Sequence, residues 1–297
     1  ISEKSSTYTL LCNEKLQKTY PDFFIVGAPR CGTTSLHEYL NKISDVFMCT
    51  KECGFFSKYS NGRVESYDEY HSLFSNAQSN QVVGESTAIY LRDPDTAKKI
   101  YDANPNAKII VMLRDPIERM FSHYLMYIKN GYETKSFSEK LNQYFENQNE
   151  DNFYNYILMP SFYLDSISRY IDLFKKDSVK IIIYEEFAKN TEKAVHEILD
   201  FLHIDAELPS NLSKKYNDFA HPLGKSQNFI ISNNLLRPLG RNFLPKSTRL
   251  SIKNVLSDKN DKPILQEDDI LKLRELFSSD VAALENFLEQ KLPWKNF

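Results

Sequence analysis

One tryptophan, eight glycines and four cysteines are few for a chain of 297 residues. So little glycine, with 12 prolines, excludes collagen-like and low-complexity classes. The cysteines Cys12, Cys31, Cys49 and Cys53 all lie in the first fifth of the chain. Cys49 and Cys53 have no second pair and no His cluster near them, which argues against zinc and for reduced thiols in a cytoplasmic protein. No apolar run approaches the ~18 residues that a membrane span needs. Charge of one sign is also missing: the net value is −3, so nucleic acid is not an expected partner. The chain begins at Ile1 and not Met, which leaves a removed leader or anchor open. What is present is 41% hydrophobic residues, including 18 Tyr and 20 Phe, enough for the core of one large domain.

Apolar runs at Asp22–Gly27, Lys108–Leu113 and Val179–Tyr184 read as buried strands. Asp45–Met48 and Val82–Val83 are weaker strand signals. Helical spacing covers Thr33–Leu40, Tyr67–Phe74, Asp95–Ala103, Pro116–Asn130, Phe162–Phe174, Thr191–Leu202 and Asp269–Leu288. Pro116 suits a first helical turn, and Gly131 suits a stop. Continuously apolar strands that alternate with helices imply a parallel sheet covered on both faces. The expected fold is therefore α/β, with about four or five central strands and a helical C-terminal portion. One domain over 1–297 is expected: an arm over 1–20, a nucleotide-binding core over 21–205, and a basic loop region with C-terminal helices over 206–297. Within that last part, Lys214 to Lys253 includes eight Lys or Arg against one acid, Asp218, which suits either a solvated surface or an anionic ligand.

The sharpest motif is Phe23 to Leu36, FFIVGAPRCGTTSL. It reads as strand, glycine-containing turn, helix. Gly27 and Gly32 have the spacing of the two glycines in a phosphate-binding loop. Such a loop aims backbone N–H groups at a phosphate, and the helix dipole assists. Thr33, Thr34 and Ser35 supply hydroxyls in the first turn. Thr33 replaces the lysine of a nucleotidase loop, and Arg30 is its only cation. A kinase or hydrolase also wants a metal-holding acid after a second strand. Here Arg114 follows Leu113, and Asp115 comes only after it. Cation first suits a second anionic group. The expected ligand carries phosphates at two separated places and needs no metal.

The segment Pro29–Leu36 (PRCGTTSL) resembles the 5′-phosphosulfate loop of sulfotransferases that use 3′-phosphoadenosine 5′-phosphosulfate (PAPS). Ile109–Tyr124 (IIVMLRDPIERMFSHY) resembles their 3′-phosphate motif, in which an Arg and a Ser eight residues later bind that phosphate. Those positions are Arg114 and Ser122. Gly84–Leu91, Ile183–Phe187 and the final helix up to Trp294 are similar to further family segments. The resemblance runs over about 22–295 and implies a P-loop-like three-layer fold. It also implies PAPS as donor and 3′-phosphoadenosine 5′-phosphate (PAP) as product. Arg30, Cys31, Gly32, Thr33, Thr34 and Ser35 would line the 5′ side. Arg30 would neutralise charge on the leaving phosphate. Lys225 would touch the 3′-phosphate, although Gly224-Lys225-Ser226 is only a partial match to the family's clamp.

Removal of the acceptor proton needs a base. Lys51-Glu52-Cys53-Gly54-Phe55-Phe56 resembles the K-E-x-x-F-F segment of the heparan-type branch, where the Glu is the base and the Lys meets the sulfonate. Glu52 and Lys51 take those roles, with Glu52 expected to be partly buried. His221 is the alternative base; His37 reads as structural, and His123 as facing away from Ser122. Arg119 is expected to pair with Glu118 or Glu85. The acceptor is an alcohol, or an amine, on a small molecule or natural product; a glycan is the runner-up. A lumenal Golgi domain is the alternative location. Arg30 replaces the Lys of animal glycan enzymes, a form that looks like bacterial relatives. The acids Glu133, Glu139, Glu146, Glu150 and Asp151 could flank a cationic acceptor or form a solvated helix face. A P-loop kinase and a non-catalytic nucleotide module are the rival classes.

Overall fold

The computed structural model describes residues 20–60, 62–147, 152–208, 221–222, 257–258 and 263–297. The N-terminal arm, the Asn211 sequon, Lys225 and nearly all of the basic stretch lie outside them. The described residues fall into two compact units, one within 1–113 and 163–214, the other within 114–162 and 215–297.

The first unit holds five strands: β1 (Phe23–Gly27), β2 (Val46–Met48), β3 (Val82–Ser86), β4 (Lys108–Leu113) and β5 (Val179–Ile183). They pair in parallel in the order β2-β3-β1-β4-β5. Ile25 lies between Ser86 on one side and Ile110 on the other. Phe23, Phe24, Ile25 and Val26, and Ile109 through Leu113, are fully buried. That burial accounts for the continuous apolar runs. β3 was the weakest strand signal because VVGES carries Gly, Glu and Ser; Glu85 and Ser86 are nevertheless fully buried. Gly84 is needed there, since a Cβ would come within 2.2 Å of the Phe23 ring and 2.6 Å of Met48 Sδ.

Helices α1 (Thr33–Leu40), α2 (Tyr67–Ser72) and α3 (Thr96–Ala103) join the strands of this unit. The β1–α1–β2 crossover moves two places one way along the sheet, and β3–α3–β4 moves two places the other way. With right-handed crossovers, α1 and α3 cover opposite faces.

The second unit begins with α4 (Pro116–Lys129), α5 (Phe137–Asn147) and a π-helical segment, Phe153–Leu158. The chain then returns to the first unit for α6 (Leu164–Phe174), α7 (Tyr184–Lys189) and α8 (Thr191–Leu202). It ends in the second unit with α9 (Glu267–Leu288). His221–Pro222 and Ser257–Asp258 form a short antiparallel pair. An aromatic cluster of Phe121, Tyr124, Phe137 and Phe153 fills this unit, and Phe277 of α9 packs on Phe162 at 4.9 Å.

Helix α5 bears out the helix face offered for the acids of this stretch; Ser136 and Glu139 form its capping box, Glu139 Oε2 accepting from Ser136 N at 2.7 Å. The Ser136 hydroxyl, which donates to the same oxygen at 2.7 Å, and then the Ser136 N–H hold the Glu139 carboxyl below its ordinary range. Glu133 accepts from the Thr134 and Lys135 amides, so these two acids act as loop and helix caps. Arg119 is fully buried and donates to Ser161 Oγ at 2.6 Å and to the Ile157 carbonyl, partners that the sequence did not suggest.

Candidate active site

Parallel strands present their carboxyl ends to one edge of the sheet, where ligands of such folds bind. In the first unit, β1 runs into the Ala28–Gly32 loop, β2 into the Thr50–Gly54 turn, and β3 into Thr87. Gly27 takes φ +147, and a Cβ there would lie 2.6 Å from the Ala88 carbonyl oxygen. Gly32 caps α1 at φ +91, and a Cβ would lie 2.9 Å from the Tyr184 ring. Both positions therefore exclude other side chains. Helix α1 starts with no side-chain cap and no acid in its first turn, which suits an external anion on its amides. Thr34 and Ser35 are part-exposed, and Thr33 is turned inward. Arg30 is part-exposed and adopts φ +71, a conformation that non-glycine residues adopt at a cost. Cys31 shapes the loop and offers no thiol: it is fully buried, with Sγ 4.0 Å from Tyr163 OH and its N–H donating to Ala28 O at 3.3 Å.

Lys51 links the turn after β2 to this loop. Its Nζ lies 2.9 Å from Glu52 Oε1, 3.1 Å from Ser86 Oγ and 3.5 Å from Thr33 Oγ1. The second Glu52 oxygen accepts from the Ala88 N–H at 3.0 Å, and the Glu52 N–H donates to Ser86 O at 2.9 Å. Both carboxylate oxygens are thus held. Glu52 takes φ +62, a left-handed conformation that non-glycine residues adopt at a cost. It is 47% exposed where partial burial was expected, whereas Lys51 is 16% exposed.

Beneath the turn lies a buried carboxyl whose role the sequence did not reveal. Glu85 accepts from Thr87 Oγ1 at 2.9 Å, Cys53 Sγ at 3.0 Å and Tyr70 OH at 2.5 Å. Thr87 in turn accepts from the Gly54 N–H, and Tyr90 OH from the Phe56 N–H. The residues that flank Glu52 are therefore tied to β3 and its continuation. Burial pushes the Glu85 carboxyl above its ordinary value, against the opposing pull of its hydrogen bonds. Cys49 is held high by its bond with Cys53 and by burial, as befits an unreactive thiol. Cys31, Cys49 and Cys53 are all free thiols.

The histidines divide clearly. His37 on α1 is buried, and its Nδ1 has no hydrogen-bond partner. Burial and then the Lys51 charge lower it to about 4. His123 is buried with Nδ1 3.2 Å from Arg119. The His221 side chain lies outside the described residues.

In the second unit, Arg114, Glu118 and Ser122 are part-exposed, and the other residues from Arg114 to Leu125 are buried. Their spacing of four makes one stripe at the start of α4. Asp115, which follows Arg114, is a structural cap: it accepts from the Ile117 and Glu118 amides and from Asn296. Among the described residues, no group of three or more His, Cys, Asp or Glu could hold a metal ion.

The chain is similar to several known proteins. Membrane-associated sulfotransferase kil1 of Dictyostelium discoideum is 33% identical over 105 residues, 35% of this chain and 22% of that protein. Human carbohydrate sulfotransferase 15 is 28% identical over 245 residues, 62% of this chain and 44% of that protein. The chain thus spans less than half the length of these relatives. The crystal structure of a sulfotransferase from Alicyclobacillus acidocaldarius superposes with a TM-score of 0.67 at 28% identity, covering 92% of this chain and 97% of that one. A sulfotransferase domain model matches residues 20–221, two thirds of the sequence, and the chain therefore belongs to the sulfotransferase domain family.

Proposed function

We propose that this chain moves the sulfuryl group of PAPS to an acceptor hydroxyl by in-line displacement. The observation that carries the reading is the position of Lys51, within 3.5 Å of Thr33, Ser86 and Glu52. It places a cation and a carboxylate beside the start of the phosphate-loop helix. Glu52 takes the acceptor proton as the new S–O bond forms. Lys51 meets the sulfonate oxygens. Arg30 and the amides of Gly32, Thr33 and Thr34 receive the charge that grows on the 5′-phosphate as the old S–O bond breaks. The Thr34 and Ser35 hydroxyls bond the same phosphate. Arg114 and Ser122 hold the 3′-phosphate, with Lys225 as a further contact.

An alcohol on a small molecule and a sugar hydroxyl are served by the same chemistry. The relatives named for carbohydrate and for heparan sulfate glucosamine favour the sugar. We assign the activity to the cytoplasm on the three buried free thiols; the relative named as membrane-associated favours the alternative, an anchored enzyme. Among the described residues no helix is long and apolar enough to cross a membrane.

Glu52→Gln tests the assignment. Transfer of labelled sulfate from PAPS to a panel of sugars and small alcohols should fall by about 10²-fold or more, with PAP affinity kept. Full turnover in that variant would remove Glu52 from the mechanism and turn attention to His221.

A further inference from the structure

The stripe on α4 contains an anion where anions are expected to bind. Glu118 stands between Arg114 and Ser122, and Arg114 Nη2 donates to its Oε2 at 3.2 Å. A carboxylate in that place opposes a phosphate, and it also occupies the guanidinium that a phosphate would need. The C-terminal segment supplies the counterweight. Lys295 Nζ lies 2.8 Å from the other Glu118 oxygen, Oε1. Glu118 is thus shared by two cations, one on each oxygen.

Lys295 is not there by chance of a loose tail. Trp294 and Asn296 on either side of it are buried. The Asn296 N–H and side-chain amide both donate to Asp115 Oδ2, at 3.3 and 2.8 Å. Arg274 Nε donates to the Asn296 carbonyl at 2.6 Å. The same Asp115 caps α4 through its other oxygen. One carboxylate therefore fixes both the start of the phosphate motif and the segment that carries Lys295. The Lys295 side chain itself is 74% exposed, so it has no packing role. Its bond to Glu118 holds its ammonium above the ordinary lysine value.

We propose that Lys295 is a positioning residue of the 3′-phosphate subsite: it retains Glu118 when Arg114 turns from that carboxylate to the phosphate. The proposal rests on the PAPS reading above. With Lys295 in place, Glu118 stays paired and close to neutral in effect, and Arg114 is released at little cost. Without it, Glu118 keeps Arg114 and repels the incoming dianion. The effect is specific to the 3′-phosphate, because a nucleotide without that group makes no demand on Arg114.

Calorimetric titration separates the possibilities, with PAP and adenosine 5′-phosphate as probes. The proteins are the wild type, Lys295→Ala, Glu118→Gln and the double variant, each checked by thermal melting. The wild type should prefer PAP. Lys295→Ala should weaken PAP about fivefold, as for a partly exposed ion pair, and leave adenosine 5′-phosphate unchanged. Adding Glu118→Gln should restore PAP affinity. Equal weakening of both nucleotides, no weakening of either, or a loss that Glu118→Gln does not relieve would each overturn the role of Lys295 while the PAPS reading stands. A wild type that fails to distinguish the two nucleotides would overturn both.

Discussion

Acidification should weaken the first unit through His37. This side chain lies on α1 directly behind the phosphate loop, buried, with Nδ1 unpartnered and Lys51 nearby. Burial and the Lys51 charge lower it from 6.5 to about 4. The folded protein therefore binds this proton less readily than the unfolded chain does. Its contribution is complete above pH 6.5 and is lost as pH falls from there toward 4. A difference of that size is worth about 3 kcal/mol at the acid end. For a chain of this size that is a loss of roughly 6–10 °C in melting temperature. Replacing His37 with Gln removes the titration and keeps a polar side chain of similar reach. In melting curves between pH 4 and 7.5, wild type should lose stability relative to His37→Gln as pH falls from 6.5 to 4. A gap that stays constant over that range would refute the account of His37 as a buried neutral base.

Glu85 should give the opposite sign. Its folded value is raised above 4.5, so its contribution is full below that pH and lost as pH rises through the raised value. Glu85→Gln should therefore gain stability relative to wild type as pH climbs from 4 to 8; melting curves with a pH-independent gap would contradict this. Gly27→Ala places a Cβ 2.6 Å from a backbone oxygen that cannot move aside, and should cost about 1–3 kcal/mol in denaturant unfolding. Lys51→Met removes the donor shared by Thr33, Ser86 and Glu52, and should lower sulfuryl transfer by about 10²–10³-fold while melting temperature changes little. Unchanged turnover there would remove Lys51 from the site.

The features legible in the sequence were those whose cause is local. β1, β4 and β5 announce themselves because both faces are covered, and α4 because Pro116, apolar spacing and Gly131 lie within one stretch. The phosphate loop is legible for the same reason, since its glycines, Arg30 and hydroxyls are contiguous. β3 was faint because Glu85 is buried by donors at 53, 70 and 87, and no local pattern predicts that a carboxyl will find them. Glu52 is exposed and sits in a left-handed turn that no composition rule marks. Arg119 was assigned to a nearby acid, and its bonds to Ser161 and Ile157 were not legible because they reach 42 and 38 positions along the chain. The pairing of Asn296 with Asp115 spans 181 positions, which is why the C-terminal segment read only as the end of a helix.

The measurement that tests the central assignment most directly is calorimetric titration with PAP in the absence of metal, beside ATP with Mg²⁺. The account predicts tight PAP binding that weakens at least tenfold in Arg114→Ala, with ATP bound poorly. Tight ATP binding and none of PAP would contradict it and make a phosphoryl-transfer enzyme the reading to pursue.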